Sequence, residues 1–361
     1  MRVLIIGKMY TEGFARHIAD TFESMGMDIT RYEPGLERQL TGGKLRQQLE
    51  AVVGYLHAGA IKVPAVRVQA FKQLEQVARE CQPDLILTCY DFLWAREVEA
   101  LKRCTGAKIA MWYPDHLANF GRSHFMMAPY DALFFKDPYI VEFLRDRLSS
   151  KIYYLPECFN PQVHRLPAAG LSDDDYEKYG CEVTTAGNMY AYRIATFQHL
   201  EQYDMKLWGG SAPNWLPLGN LGQFIQGEFV AGEEKAKAFR AADIVVNSMY
   251  PAEIWGLNCR AFEVAGIGGF MLIDWKPGLQ QLFDDGTEIV SFRGTKDLCD
   301  KIDHYLEHPE ERSDIAAAGQ RRARAEHTYT HRLELLVDTV IGDKSGYPMP
   351  SISGIAPQLS A

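Results

Sequence analysis

Residues 247–274 read NSMYPAEIWGLNCRAFEVAGIGGFMLID, and this stretch decides the fold. It opens at the end of an apolar run, 242–247, that reads as a buried strand. Residues 260–265 have helical spacing and lead to Gly266, Gly268 and Gly269, after which 270–273 reads as a second strand. Strand, loop, helix and strand make a βαβ unit. Ligands collect at the carboxyl ends of such strands, where helix N-termini point at them. Asn258, Arg260 and Glu263 fall at that place.

The same alternation extends outward in both directions. Strands are expected at 3–6, 85–88, 108–112, 132–135 and 151–155, with a helix at 13–25. Three prolines, a glycine and the acidic run Asp173, Asp174, Asp175 break the pattern over 156–175, which reads as an inter-domain linker. A second set of strands follows at 181–186, 205–208, 243–247, 270–273 and 288–292, and helices at 309–324 and 329–340 close the chain. The class is therefore α/β, with two doubly wound, Rossmann-like parallel-sheet domains facing across a cleft. The expected division is a first domain over 1–165, a second over 166–325, a closing helix over 326–341 packing back on the first domain, and a disordered tail over 342–361 rich in Gly, Pro and Ser.

Composition fits this plan. A chain of 361 residues, 47% hydrophobic, suits two cores better than one. The net charge of -9 argues against a general nucleic-acid binder. Seven cysteines with no CxxC spacing argue against a disulfide framework or a structural zinc. The apolar run at the amino terminus is too short for a signal peptide and none approaches a membrane span, so a cytoplasmic location is expected. Residues 31–72 carry seven Lys and Arg against three Glu around the apolar AVVGYL at 51–56. This reads either as a solvated helix face or as peripheral contact with the inner membrane face or a lipid-linked acceptor.

Several motifs then fall in a telling order: Gly187-Asn188 and Arg193 after one strand, Asn247 after another, Gly256 to Glu263, and Glu326 to Arg332. Over 180–337 this order resembles the CgeB-like glycosyltransferases, which have the two-domain GT-B fold and are related to retaining glycosyltransferase family four. The first 150 residues resemble that family weakly. The resemblance implies transfer of a sugar from a nucleoside diphosphate sugar to a glycan, lipid-linked or protein acceptor, with retention, no metal and no cofactor. The alternatives are a nucleotide-sugar epimerase of the same fold and a non-catalytic sugar-nucleotide-binding protein.

The resemblance also implies roles. Glu263 would accept hydrogen bonds from the ribose hydroxyls, its plainer reading being a helix carboxylate that complements the dipole. Arg193, Arg260 and Asn258 would bind the diphosphate, the two arginines stabilising the leaving group; the alternative for Arg193 is a helix-surface arginine and for Arg260 a surface ion-pair partner. Asn247, Gly187 and Asn188 complete that donor site. Trp208 and Gly209 would flank the base, unless the tryptophan is core. Glu253 would face the sugar, yet nine residues separate it from Glu263 where the wider retaining families have seven. In the first half, Gly7 opens GKMYTEG, which is no GxGxxG but offers backbone amides to a phosphate or sugar. Asp115 and His116 at the end of the 108–112 strand are the acceptor-side candidates, with Asp115 the base should the enzyme invert. No DxD follows a strand end in the manner of metal-dependent transferases.

Overall fold

Strands made almost wholly of apolar residues, such as LILTC at 85–89 and IVVN at 244–247, are buried on both faces, as parallel sheets covered by helices require. The computed structural model describes residues 1–34, 63–119, 123–210 and 212–350. The first half contains β1 (Arg2–Ile6), α1 (Phe14–Ser24), β2 (Asp28–Tyr32), α2 (Pro64–Cys81), β3 (Leu85–Cys89), α3 (Ala95–Thr105), β4 (Lys108–Tyr113), β5 (Ala132–Phe135), α4 (Pro138–Leu144) and β6 (Lys151–Tyr154). Its sheet is parallel, in the order β2-β1-β3-β4-β5-β6.

The second half contains α5 (Asp173–Tyr179), β7 (Val183–Ala186), α6 (Ala191–Phe197), β8 (Met205–Trp208), α7 (Gly232–Ala241), β9 (Ile244–Asn247), α8 (Cys259–Ile267), β10 (Met271–Asp274), α9 (Leu279–Leu282), β11 (Val290–Phe292), α10 (Gly294–Glu307) and α11 (Pro309–Glu326), followed by α12 (Tyr329–Val340). Its parallel sheet runs β11-β10-β9-β7-β8. In each sheet the order reverses beside the first strand, between β1 and β3 and between β7 and β9. Those reversals leave crevices at the strand carboxyl ends, which is where doubly wound sheets bind ligands.

Helix α12 inserts Tyr329, Leu333, Leu336 and Val340 into the core of the first sheet. The two chain crossings between the halves lie side by side, joined by a bridge between Phe159 and Thr328. Arg332, 1% exposed, clasps them: Nε donates to Pro156 O (3.0 Å), Nη1 to Glu326 O (2.9 Å) and Nη2 to Glu157 O (3.4 Å).

Three expectations change. Residues 28–32 form an edge strand that the sequence reading leaves out, because DITRY lacks the apolar run of the inner strands. The acidic run at 173–175 is the first turn of α5 rather than linker, capped by Ser172, whose Oγ accepts from Asp175 N (3.2 Å), and its charges complement the helix dipole. Within the expected disordered tail, residues 342–350 are placed, and the Tyr347 ring packs edge-on against Tyr154 at 5.5 Å beneath Arg332. Of the basic stretch at 31–72, residues 35–62 lie outside the described residues. Arg31 is ion-paired with Asp20 and Glu23, and Arg67 with Glu97, so neither offers a free charge to a membrane. Among the described residues no helix is long and apolar enough to cross one.

Replacing Arg332 by Met removes the donor from three buried acceptors at once, Pro156 O, Glu157 O and His327 Nδ1. The expected loss is about 3 kcal/mol, since each unsatisfied buried polar group costs about 1 kcal/mol or more; the fall in urea midpoint checks it.

Candidate active site

The crevice at the carboxyl ends of β7 and β9 holds two arginines without a carboxylate. Arg193, on the first turn of α6, is 2% exposed. Its Nη1 donates to Asn188 O (2.7 Å), Nε to Ser248 Oγ (3.4 Å) and Nη2 to Tyr190 OH (3.4 Å), and its guanidinium lies 4.7 Å from the Tyr190 ring centroid. Arg260, on the first turn of α8, donates from Nη1 to Asn247 Oδ1 (3.1 Å). Among the described residues neither guanidinium has an acidic partner. Burial, and then the neighbouring Arg260 charge, depress the Arg193 pKa to about 9.

Gly187 allows this arrangement. Its φ is +125°, and a Cβ there would stand 2.5 Å from Arg260 Nη2 and 3.2 Å from Arg193 Nη1. Both guanidiniums therefore press on the bare backbone at the end of β7. A Cβ on Gly209 would meet Gly187 O at 2.1 Å, so the β8 end needs glycine for the same close approach.

The remaining donor-side candidates divide into contacts and supports. Asn247 is fully buried and exchanges hydrogen bonds with the Asn258 amide (2.9 and 3.1 Å) while holding Arg260. Asn258 is the N-cap of α8, its Oδ1 accepting from Ala261 N (3.3 Å). Both amides hold Arg260 and the start of α8 in position, and the Asn247 amide is buried in that role. Trp208 is 2% exposed and packs on Tyr179 at 5.2 Å, so it is core and offers no platform to a base. Gly7 is likewise corrected: its N–H is taken by Tyr32 O (3.1 Å), and a Cβ would strike Ala15. The glycine is there because β1 and α1 meet too closely for a side chain.

Glu263 lies on the next turn of α8, close enough for the Arg260 charge to help lower its pKa. Its Oε1 accepts from Lys235 Nζ (3.2 Å), and His164 Nε2 is 3.7 Å away. Glu12, from the loop after β1, crosses the cleft into this cluster. Its Oε1 accepts from Gly232 N (2.6 Å), and its Oε2 contacts Lys235 Nζ and lies 3.0 Å from His164 Nε2. Glu12 sits at φ +66°, a conformation rare outside glycine, held there by these cross-cleft bonds. Burial opposes ionisation of Glu12 and Glu263, but His164 and Lys235 outweigh it and lower both. Glu12, His17 and His164 together have the donor set of a metal site, but the ammonium of Lys235 already touches Glu12 and His164.

A second contact across the cleft is made by Lys136, after β5, whose Nζ donates to Glu253 Oε1 (2.7 Å), both side chains being about 5% exposed. Asp137 accepts from Ile254 N (2.8 Å) and Trp255 N (3.1 Å), and a Cβ on Gly256 would meet Lys136 O at 2.5 Å. A third is the His116 ring, stacked on Tyr250 at 4.6 Å; Tyr250 in turn meets Tyr190 edge-on at 5.3 Å. Asp115 stays beside it, accepting from His116 N (3.0 Å) and Asn119 Nδ2 (2.5 Å). The structure thus gathers Arg193, Arg260, Gly187, Asn188, Asn247 and Asn258 in one crevice, Glu263 one turn away, and His116 across from them through two tyrosines.

Two facing doubly wound sheets with a charged cleft define the GT-B architecture, and the comparisons agree. Sucrose-phosphate synthase from Thermosynechococcus elongatus superposes with a TM-score of 0.66 at 14% identity, over 95% of this chain and 100% of that one. Anabaena HepE in complex with UDP and glucose gives 0.64 at 12% identity, over 95% and 100%. Residues 193–338 match the family described as Glycosyl transferase-like, and spore protein CgeB of Bacillus subtilis (strain 168) is 26% identical over 193 residues, 47% of this chain and 55% of that protein. The chain therefore has the GT-B fold, and its second half is similar to the Glycosyl transferase-like family and to CgeB. The match spans about half the length of that curated relative.

The sequence reading missed Glu12, Glu157, His164, Lys235 and Tyr250. Each lies far from its partners along the chain, so no local spacing marks it.

His17, 5% exposed, touches this cluster, and burial followed by His164 lowers its pKa to about 4. A histidine depressed in the fold is neutral there while the unfolded chain takes up a proton below its ordinary pKa. Its stabilising contribution is therefore present above pH 6.5 and lost as pH falls toward 4, by on the order of 3 kcal/mol. Thermal melts of His17→Gln should show a shallower decline than wild type across that window.

Proposed function

We propose that this protein transfers a sugar from a nucleoside diphosphate sugar to a glycan, lipid-linked or protein acceptor. The observation that carries this reading is the Arg193–Arg260 pair, two cations gathered at a switch-point crevice with no acidic partner among the described residues. Burying like charges costs stability, and a diphosphate is the ligand whose two phosphates offset it. The departing nucleoside diphosphate gains negative charge as the glycosidic bond breaks, and fixed guanidiniums that need not reorganise stabilise that charge. They supply the positive charge for which other transferases use a metal ion, which supports a metal-independent reaction. Glu263, held by Lys235, is placed for the ribose hydroxyls beyond the diphosphate.

In this reading Glu253 faces the transferred sugar and the His116 loop closes the acceptor side, as in the families the sequence resembles. Retention rests on that resemblance. UDP is the first nucleotide to try, since HepE is seen with UDP and with UDP-glucose.

The test is thermal shift against UDP, GDP, dTDP and ADP. One nucleotide should stabilise wild type, and Arg193→Met and Arg260→Met should each weaken its binding at least tenfold. Because the surroundings of Arg193 oppose its charge, Arg193→Met without ligand should melt at or above the wild-type temperature, a gain in stability at the expense of function. If both variants keep the wild-type shift, the diphosphate site lies elsewhere. Turnover of the matching nucleotide sugar only when an acceptor is supplied separates transfer from epimerisation.

A further inference from the structure

Glu157 follows β6 at the junction of the two halves and is 3% exposed. Arg332 fixes its backbone carbonyl, yet its side-chain Oε2 is buried with no hydrogen-bond partner among the described residues. In the other half Glu253, whose charge reaches Glu157, is 4% exposed, with Oε1 on Lys136 and Oε2 also buried and without a hydrogen-bond partner among the described residues. A further such atom, His116 Nδ1, belongs to the residue beside Asp115, whose charge reaches Glu157. Buried polar atoms are normally satisfied, so unpartnered ones drawn from both halves of a cleft point to a ligand.

The charges say which kind. Burial, then Glu253, Glu263 and Asp115, push the Glu157 carboxyl up to about 8 against the pull of Lys136. Tyr90, Cys158, Cys259 and Tyr329 also lie within reach of its charge, each with its own pKa raised by burial. At neutral pH Glu157 is therefore a carboxylic acid, and Lys136 and Glu253 cancel. Glu157, Glu253 and Lys136 together then carry no net charge and offer one O–H donor and one carboxylate acceptor. An alcohol, which both accepts and donates, satisfies the two; an ammonium, which only donates, leaves the acid proton unmatched.

We propose that Glu157 is a specificity-determining residue that forms, with Glu253, a subsite for the hydroxyls of a neutral sugar ring between the two halves. This rests on the nucleotide-sugar reading above. The ring belongs either to the donor or to the acceptor, and the two sources separate experimentally.

The experiment uses the full chain as wild type, Glu157→Gln and Glu157→Leu, at pH 6.5 and pH 9. Calorimetry measures the stabilising nucleoside diphosphate, its glucose conjugate, and D-glucose added to the diphosphate complex. All three proteins should bind the diphosphate equally. The extra affinity due to the sugar should fall about tenfold in Glu157→Leu and stay within twofold in Glu157→Gln at pH 6.5. At pH 9 wild type should lose it, as its acid ionises, while Glu157→Gln keeps it. Loss in the conjugate assigns the donor ring, and loss with free glucose the acceptor ring; either supports the subsite. Unchanged sugar affinity in Glu157→Leu, or the same pH response in wild type and Glu157→Gln, overturns it while the diphosphate site stands. Should Glu157→Leu not fold, the pH comparison with Glu157→Gln decides alone. No diphosphate binding in any protein overturns both readings.

Discussion

The two halves of this molecule are joined across their cleft by buried charge. Glu12 reaches from the loop after β1 to Lys235 and His164, and Lys136 reaches from the loop after β5 to Glu253. Such pairs are poor sources of net stability, because desolvation consumes most of what the Coulomb attraction returns. They are strict about geometry, however, since a displaced partner leaves an uncompensated ion in a dry site. A seam of this kind therefore fixes one registration of the two sheets while leaving room between them for a ligand. The covalent side of the junction is made rigid instead, by the Arg332 clasp and the Phe159–Thr328 bridge.

Charge is also sorted within the cleft. The second sheet's switch point carries the unpaired guanidiniums, while carboxylates crowd the floor between the halves. The pKa directions follow from this separation. Burial and then the neighbouring cation depress Arg193, burial and then neighbouring anions raise Glu157, and where His164 and Lys235 stand beside them Glu12 and Glu263 are lowered. A site for a ligand with an anionic end and a neutral, hydroxyl-rich end has this polarity. The connection between the two ends is aromatic: Tyr190 lies under Arg193, Tyr250 meets Tyr190, and His116 stacks on Tyr250.

Much of this was legible in the sequence because it is local. Strands buried on both faces announce themselves as apolar runs, so the inner strands of both sheets were found, whereas edge strand β2, half-polar, was not. Asn247 ends β9, and Arg193, Arg260 and Glu263 each follow a strand end by one loop and at most two helical turns, and loop chemistry at strand ends is readable. Trp208 and Gly7 were misread for one reason. A residue type that suits a ligand also suits close packing, and only the third dimension shows that Tyr179 and Ala15 already occupy the space. Glu12, Glu157 and Lys235 were invisible because their meaning lies in partners up to 223 residues away along the chain.

Gly187 shows how little sequence such a site requires. Guanidiniums are bulky and repel one another, and two of them converge on a crevice only if the backbone between them is bare. A single missing Cβ at the end of β7 lets Arg193 approach from one side and Arg260 from the other, while Asn247 and Asn258, bonded to each other and to Arg260, hold the second in place. The cost of burying the cation, and then of keeping it beside its neighbour, appears as the depressed pKa of Arg193. Packing of α6 and α8 onto the sheet meets that cost, which is why the arginines are drawn from helix first turns, fixed by the fold, rather than from free loops.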